Sequence, residues 1–543
     1  MELPLEFRDY AAAALGEEIA GELCSNIESQ EELTSVRVNP FKGGSLEGAF
    51  KGGAQGDFGN LGDSGNSGDS RDSGNSGDSG DSGDSRDSGD ASNETSVATS
   101  PVQWSSLGHY LSSRPVFTLD PLFHAGGYYV QEASSMYMEM VAQAVEKDFA
   151  SRGGAEAGVK GGADAGAQGG KFFEEKLAAL DLCAAPGGKS THLASLLGDD
   201  SLLVSNEVIK SRAVILADNI AKWGRENVVV TNSDPADFGA FEELFDLVVV
   251  DAPCSGEGLF RKDPQAVQEW SPANVNLCAQ RQQRILADIW PSLAPGGYLV
   301  YSTCTYNKFE NDGNLKFLCE ELGAEAVKLV APEGSGIIET PGGGFQFVPG
   351  RVKGEGQYMA LVRKNGEWEP GAFASAVGHS KGGKKHKGGK DAKGKNQVQF
   401  EKGCNYLPCN YIKILQGDLV KSYREDLYER IRFVEENLKT VLSGIATAEK
   451  KGKDYIPHAD FALAGVVAEM VTSGGLPAGI SAVEVGREDA LKFLAKEPLL
   501  FPGAPVGYLL LVYCGLPLGF VKNLGNRSNN LLPMARRIRM SLK

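Results

Sequence analysis

The chain has 543 residues, 41% of them hydrophobic, which is material for roughly two to four domains with cores of their own and excludes a small disulfide-stapled scaffold. Its nine cysteines lack paired spacing and are expected as reduced thiols. No apolar run approaches the ~18 residues of a membrane helix, and Glu2, Glu6 and Asp9 are the wrong flank for a secretion signal, so a cytoplasmic protein is expected. A net charge of −17 excludes binding a polyanion through a global positive field, yet −8 of it lies between Asp57 and Glu94, where nine Asp and one Glu face two Arg. A polyanionic partner would have to be held by local basic patches.

Residues 1–42 read as a small folded segment, with Phe7, Tyr10, Leu15 and Ile19 at helical spacing and Val36-Arg37-Val38-Asn39-Pro40 as an edge strand stopped by proline. Residues 43–101 repeat Gly-Asp-Ser and Gly-Asn-Ser and hold too few apolar side chains to offset their ordering entropy, which predicts a disordered insertion. A calcium-binding repeat is the competing reading; it is weakened because β-helix repeats also need an apolar position in each unit. The segment continues over 102–150, where Tyr128, Tyr129 and Gln131 are candidates to stack on or hydrogen-bond a base and His124 reads as a satisfied loop residue. An amphipathic helix is predicted over 136–147 and a Gly/Ala-rich loop over 151–170.

From 171 to 365 strands and helices alternate, which predicts an α/β domain with a parallel, Rossmann-like sheet. The apolar run 177–183 breaks into Ala184-Ala185-Pro186-Gly187-Gly188-Lys189 and then a helical pattern, so a glycine turn and a helix N-terminus meet at the carboxyl end of a strand, where open α/β sheets bind ligands. The turn has neither G-x-G-x-x-G nor P-loop spacing, so the ligand need not be a phosphate. The next strand, 202–205, ends at Asn206-Glu207, a carboxylate placed to accept hydrogen bonds from a ribose diol; an adenosine-type ligand follows. A helix is predicted over 211–223. Strand 228–230 then leads to Asn232-Ser233-Asp234, and strand 247–250 to Asp251-Ala252-Pro253-Cys254-Ser255-Gly256. A helix over 281–293, stopped by Pro295-Gly296-Gly297, precedes strand 298–302, which delivers Thr303-Cys304-Thr305-Tyr306 to the same edge. Residues 354–363 read as a closing strand.

Residues 366–398 form a linker; its seven lysines between His379 and Asn396 read first as a solvated tether, with sequence-independent attraction for phosphates as the competing reading. Two modules follow, 399–480 and 481–543; the second carries a predicted hairpin, 508–513 with 515–522, and the basic residues Arg536, Arg537 and Arg539.

Read together, Asp181-Leu182-Cys183-Ala184-Ala185-Pro186-Gly187-Gly188-Lys189, Asp251-Ala252-Pro253-Cys254-Ser255-Gly256 and Ser302-Thr303-Cys304-Thr305 resemble the S-adenosylmethionine-dependent RNA cytosine-5 methyltransferases of the Sun (NSUN-like) family. The Arg37-Val38-Asn39-Pro40 motif resembles the family's N-terminal RNA-binding segment, residues 119–135 its lead into the catalytic domain, and residues 399–543 the intermediate and PUA-like RNA-binding domains of the bacterial RsmF branch, which methylates a cytosine of 16S ribosomal RNA. The resemblance implies a Rossmann-like methyltransferase domain, flanked by that RNA-binding segment and a PUA-like domain. It implies S-adenosylmethionine as cofactor, lying on Cys183, Ala184, Ala185, Pro186, Gly187, Gly188 and Lys189, with Glu207 on its ribose, Asp234 near its adenine and Asp251 near its methionine end. The expected partner is small-subunit ribosomal RNA or the 30S particle; a monomer without metal or membrane contact is expected.

Cytosine C5 becomes nucleophilic only after a temporary addition to C6, a task suited to a cysteine thiolate. Two cysteines compete, Cys254 after proline and Cys304 after threonine. Position alone favours Cys254, since DNA cytosine-5 methyltransferases attack with a Pro-Cys; the RNA-family resemblance assigns attack to Cys304 and product release to Cys254. Asp251 would meet cytosine N3. The competing role for Lys189, in place of holding the cofactor, is to orient the base or a phosphate, and Cys183, Cys278 and Cys319 read as structural. An amino-methyltransferase would carry Asn/Asp-Pro-Pro-Tyr/Phe at Asp251-Ala252-Pro253-Cys254 and would not need Cys304. A transfer RNA substrate and a catalytically silent ribosome-assembly factor compete with the ribosomal RNA enzyme.

Overall fold

The computed structural model describes residues 3–29, 33–43, 97–152, 176–371, Phe373, Val377 and 399–542. The repeats of 44–96, most of the Gly/Ala-rich loop and most of the Lys/Gly-rich linker lie outside the described residues.

Four antiparallel strands, β1 (Thr34–Val38), β2 (Thr99–Val102), β3 (Ser105–Leu111) and β4 (Tyr128–Val130), form the N-terminal sheet in the order β2-β3-β1-β4. Two expectations change here. β1 is paired on both sides, so Val36 to Val38 are interior and not an edge, because residues distant in sequence supply its second partner. β2 begins inside the span expected to be disordered: Thr99 pairs with Leu111 and Ser112 N–H donates to Ala98 O at 2.9 Å, so a backbone ladder orders residues that lack apolar side chains. Helices Leu5–Leu15 and Glu17–Ser29 bury Phe7, Leu23 and Ile27 against Phe260, Trp270 and Tyr306 of the catalytic domain.

The central sheet is built from β5 (Ala178–Asp181), β6 (Leu202–Asn206), β7 (Val228–Thr231), β8 (Phe245–Asp251), β9 (Leu293–Thr303), β10 (Glu325–Val327), β11 (Ile338–Glu339), β12 (Phe345–Phe347) and β13 (Gln357–Arg363). Its order is β11-β12-β13-β9-β8-β5-β6-β7, with β10 beside β13, and strands β5 to β9 are parallel. The apolar runs of β5 to β9 suit strands covered on both faces. One face packs Val249 and Val300 against Val141 and Trp223, the other Val248 and Leu299 against Leu286 and Ile431. The chain runs outward from β5 to β7 and returns to β8 on the other side, so a ligand crevice is expected at the carboxyl ends of β5 and its neighbours.

The helix expected over 281–293 is Pro272–Ile289. It starts earlier because Ser271 Oγ accepts from Asn274 N–H and Pro272 occupies its first turn, a start signal present in the sequence. The Pro295-Gly296-Gly297 stop lies inside β9, where Gly296 has φ +73° and an added Cβ would sit 2.5 Å from Trp368 N. The predicted closing strand is β13, antiparallel to β9.

Beyond the linker, one five-stranded sheet spans Gln399–Phe400 to Asp454–Pro457, and a four-stranded sheet holds Ile480–Glu484, Gly507–Tyr513, Leu516–Asn523 and Ser528–Asn530. The expected hairpin is Gly507–Tyr513 with Leu516–Asn523. Among the strands that were not foreseen, Thr440–Leu442 leaves the C-terminal part and pairs with β7, extending the catalytic sheet.

Candidate active site

The glycine turn hangs from the end of β5. Gly187 has φ +118°, a conformation L side chains avoid, and an ideal Cβ there would come within 3.2 Å of Leu216 Cδ1. The helix Gly188–Leu196 starts at the next residue. The turn is held from below: Arg212 donates to Ala185 O at 2.7 Å and Asn219 to Pro186 O at 2.9 Å. Beneath the helix lies Arg37, fully buried, donating to Gln131 Oε1 at 2.7 Å and Thr191 Oγ1 at 2.6 Å and stacked 4.4 Å from the Trp223 ring.

Glu207, at the end of β6, is 2% exposed. Its Oε1 accepts from Ile209 N–H at 2.9 Å, whereas the buried Oε2 has no hydrogen-bond partner; Arg212 Nη1 lies 3.3 Å from it without bonding geometry. An acceptor left open in this way fits a ribose diol, and the left-handed Gly187 leaves the turn without a side chain, so the residues present fit an adenosyl cofactor. Asp234 is exposed at the end of β7, and its carboxylate caps the turn Pro235–Phe241 by accepting from Ala236 N–H. Cys183 is a poor nucleophile, since burial pushes its thiol well up.

Asp181, the last residue of β5, accepts from Ser190 Oγ at 2.6 Å through Oδ2 while its Oδ1 is buried without a partner. Burial lifts it from 3.8 to about 7. In the unfolded chain the group ionises near 3.8 while the folded protein holds its proton to about 7, so this residue makes stability fall as pH rises through that window and adds nothing further above it. Asp181→Asn is therefore expected to improve relative to wild type as pH rises from about 4 to about 7, read as the difference in thermal midpoint across a pH series. A pH-independent difference would refute the buried proton.

At the ends of β8 and β9 the remaining groups converge. Asp251 Oδ2 pairs with Lys189 Nζ at 2.9 Å, and Asp251 Oδ1 accepts from Ser302 Oγ at 2.6 Å. Cys254 and Cys304, 50 residues apart, bring their sulfurs to 3.0 Å. The contact with Cys304, burial and the nearby Glu310 carboxylate push the Cys254 thiol well up, and either sulfur could be the donor in the contact. The structure thus brings together Lys189, Asp251, Cys254 and Cys304, places Glu207 and the glycine turn along the same sheet edge, and leaves Asp234 at its outer end. A cavity of about 880 Å³ lies elsewhere, among Ala13, Phe309 and Cys319. Among the described residues no cluster of three His, Cys, Asp or Glu side chains is arranged to hold a metal, and no helix is long and apolar enough to cross a membrane.

The profile of the 16S rRNA methyltransferase RsmB/F family matches residues 173–363, that of the N-terminal domain of 16S rRNA methyltransferase RsmF residues 85–133, and that of the methyltransferase RsmF PUA domain residues 481–538. Ribosomal RNA small subunit methyltransferase F of Shewanella sp. (strain ANA-3) is 30% identical over 450 residues, covering 80% of this chain and 84% of the relative. The chain belongs to the ribosomal RNA small subunit methyltransferase F family. The Shewanella putrefaciens (strain CN-32) member is likewise 30% identical over 462 residues, with 80% and 84% covered. A crystal structure of a methyltransferase homolog protein from Pyrococcus horikoshii shares 23% identity over 66% of this chain and 93% of that one, with a TM-score of 0.45. As a member of the methyltransferase F family the protein is an S-adenosylmethionine-dependent ribosomal RNA methyltransferase, with the expected methyltransferase and PUA folds.

Several site residues escape the sequence. Ser302 stands in the Ser-Thr-Cys-Thr motif, but nothing there announces its bond to Asp251. The Arg37-Val38-Asn39-Pro40 motif, read as part of an RNA-binding segment, is interior: Arg37 and Asn39 are fully buried, and Asn39 Nδ2 donates to Gly126 O and Trp223 O at 2.8 and 3.0 Å. Tyr128 is withdrawn too, buried with its hydroxyl on Asp120 Oδ2 at 2.7 Å. Gln131 is occupied by Arg37 and by Ser135, to whose Oγ it donates at 3.0 Å. His124, as expected, is satisfied locally by Thr118 O at 2.9 Å.

Proposed function

We propose that the enzyme, acting in the cytoplasm, methylates C5 of a cytosine in 16S ribosomal RNA of the small subunit through a covalent bond between Cys304 and C6. The observation that carries this reading is the cysteine pair, sulfurs 3.0 Å apart, beside the Lys189–Asp251 pair at the same sheet edge. An amino-group methylation would need neither cysteine, and a silent assembly factor would not need the whole set.

S-adenosylmethionine, when bound, supplies an electrophilic methyl group. Glu207 would take its ribose through the open Oε2, Asp234 would border its adenine, and Cys183 to Lys189 with Asp251 would hold its methionine end. A cytosine reaches such a site only out of its stack. The Cys304 thiolate adds to C6, and the electron pair displaced from the C5–C6 double bond moves toward N3, which takes a proton from the Lys189–Asp251 pair; C5 is then enamine-like and accepts the methyl. Afterwards the C5 proton passes to water, its electron pair re-forms the C5–C6 double bond, the Cys304–C6 bond breaks, and N3 returns its proton to Asp251. Cys254, donating to the departing sulfur, lowers the barrier to that last step.

The test incubates the enzyme and S-adenosylmethionine with 30S particles, free 16S RNA and transfer RNA, and maps 5-methylcytosine in each. A single modified cytosine in 16S RNA is expected. Modification of transfer RNA alone would overturn the ribosomal substrate, and methyl transfer to any other atom would overturn the reaction.

A further inference from the structure

Two buried carboxylates stand behind the cysteines and take no part in the chemistry above. Glu257, three residues after Cys254, reaches across to the loop after Cys304. Its Oε2 accepts from Thr305 Oγ1 and from the N–H groups of Tyr306 and Asn307 at 2.7 and 3.2 Å, and its Oε1 from Trp270 Nε1 at 2.9 Å. Glu310, six residues after Cys304, reaches the other way. Its Oε2 accepts from Ser255 N–H at 3.0 Å and from Gln282 Nε2 at 2.7 Å, and the same Gln282 amide donates to Pro253 O at 3.1 Å, so both neighbours of Cys254 are held. Asn307 Nδ2 joins the two carboxylates, 2.9 Å from Glu257 Oε1 and 2.8 Å from Glu310 Oε1. Gly258 N–H closes the loops directly on Cys304 O at 2.6 Å.

Glu257 and Glu310 are both 0% exposed. Burying two carboxylates side by side is costly unless every oxygen is satisfied, and an apolar pair would pack the same space at lower cost. What apolar side chains cannot do is fix three loop N–H groups and four side-chain donors in register. We infer that Glu257 and Glu310, bridged by Asn307, are positioning residues that lock the two cysteine loops together and divide their roles, Glu257 setting the attacking sulfur and Glu310 the releasing one. Each carboxylate is carried by one cysteine's loop and grips the other's, so neither sulfur can shift without the other. The Glu310 charge also helps keep the Cys254 thiol protonated, as its role in release requires.

The inference rests on the cysteine roles proposed above, and its test separates the two. Glu310→Gln and Glu257→Gln are compared with wild type, Cys254→Ala and Cys304→Ala on the same RNA, with denaturing gels for the protein–RNA adduct, 5-methylcytosine yield and thermal midpoints. Glu310→Gln loosens the releasing side: adduct is expected to accumulate about tenfold over wild type while turnover falls. Glu257→Gln loosens the attacking side: adduct and methylation are expected to fall together, by roughly tenfold to a hundredfold. If both variants lose adduct in proportion to their loss of thermal midpoint, the carboxylates only stabilise the fold and the inference is overturned; wild-type adduct levels in both would also overturn it. Should Glu310→Gln not melt cooperatively, Gln282→Met removes the amide bridging Glu310 and Pro253 and is expected to show the same accumulation; its absence is a refutation. An adduct that survived Cys304→Ala and was lost in Cys254→Ala would instead reverse the cysteine roles.

Discussion

Cys304→Ala is expected to form no adduct with RNA and to lose methylation by roughly 10³-fold or more, the scale of removing a covalent nucleophile, while Cys254→Ala accumulates a trapped protein–RNA adduct. The opposite outcomes follow from one geometry. The sulfurs are 3.0 Å apart, and the contact with Cys304, burial and Glu310 push the Cys254 thiol well up, which suits the releasing role proposed for it. Without Cys304, C6 meets no nucleophile and C5 stays unreactive. Without Cys254, addition and methylation proceed, but the Cys304 sulfur departs with no S–H donor beside it. Both variants remove little volume, so similar thermal midpoints are expected. An adduct that required Cys254 and survived Cys304→Ala would reverse the assignment.

Arg37→Leu is expected to destabilise the protein by about 3–5 kcal/mol, the range for breaking a buried, hydrogen-bonded charged group, with a lower midpoint in thermal unfolding. The guanidinium is fully buried, and Gln131 Oε1 and Thr191 Oγ1 would lose their charged donor; the Trp223 face would lose its stacked cation. Burial lowers the group to about 9, still charged at neutral pH. Arg37→Lys is expected to recover only a fraction, because an ammonium cannot reach divergent acceptors as a planar fork does. A variant that melted like wild type and lost only RNA affinity would return Arg37 to a surface role.

Arg37 also shows where reading the sequence stops. Its motif is local and polar, like an RNA-binding arm, but its partners Thr191 and Ser195 lie 154 and 158 residues away and nothing near it announces that it is enclosed. The glycine turn, Glu207, Asp251 and the two cysteines were legible for the opposite reason: each stands at the end of an apolar run, and parallel strands deliver their ends to one edge. Period and position therefore sufficed for the parallel strands β5 to β9. They did not suffice for Lys189 on Asp251, 62 residues apart in sequence, or for Glu257 and Glu310, whose carboxylates look like ordinary loop charges until two distant turns close on them. The entry of Thr440–Leu442 into the sheet was invisible for the same reason.

That strand decides what holds the molecule together. Its pairing with β7 covers an edge that would otherwise offer unpaired N–H and C=O groups to another chain. Arg424 reinforces the junction, donating to Asp199 O at 2.9 Å and pairing with Asp200 at 2.8 Å, as does Arg536 on Asp218 at 2.7 Å. A nick in the tether between Val377 and Gln399 would thus leave two fragments still sharing one sheet. A change of register at Thr440 would be felt at once by the catalytic domain and by the module beyond it.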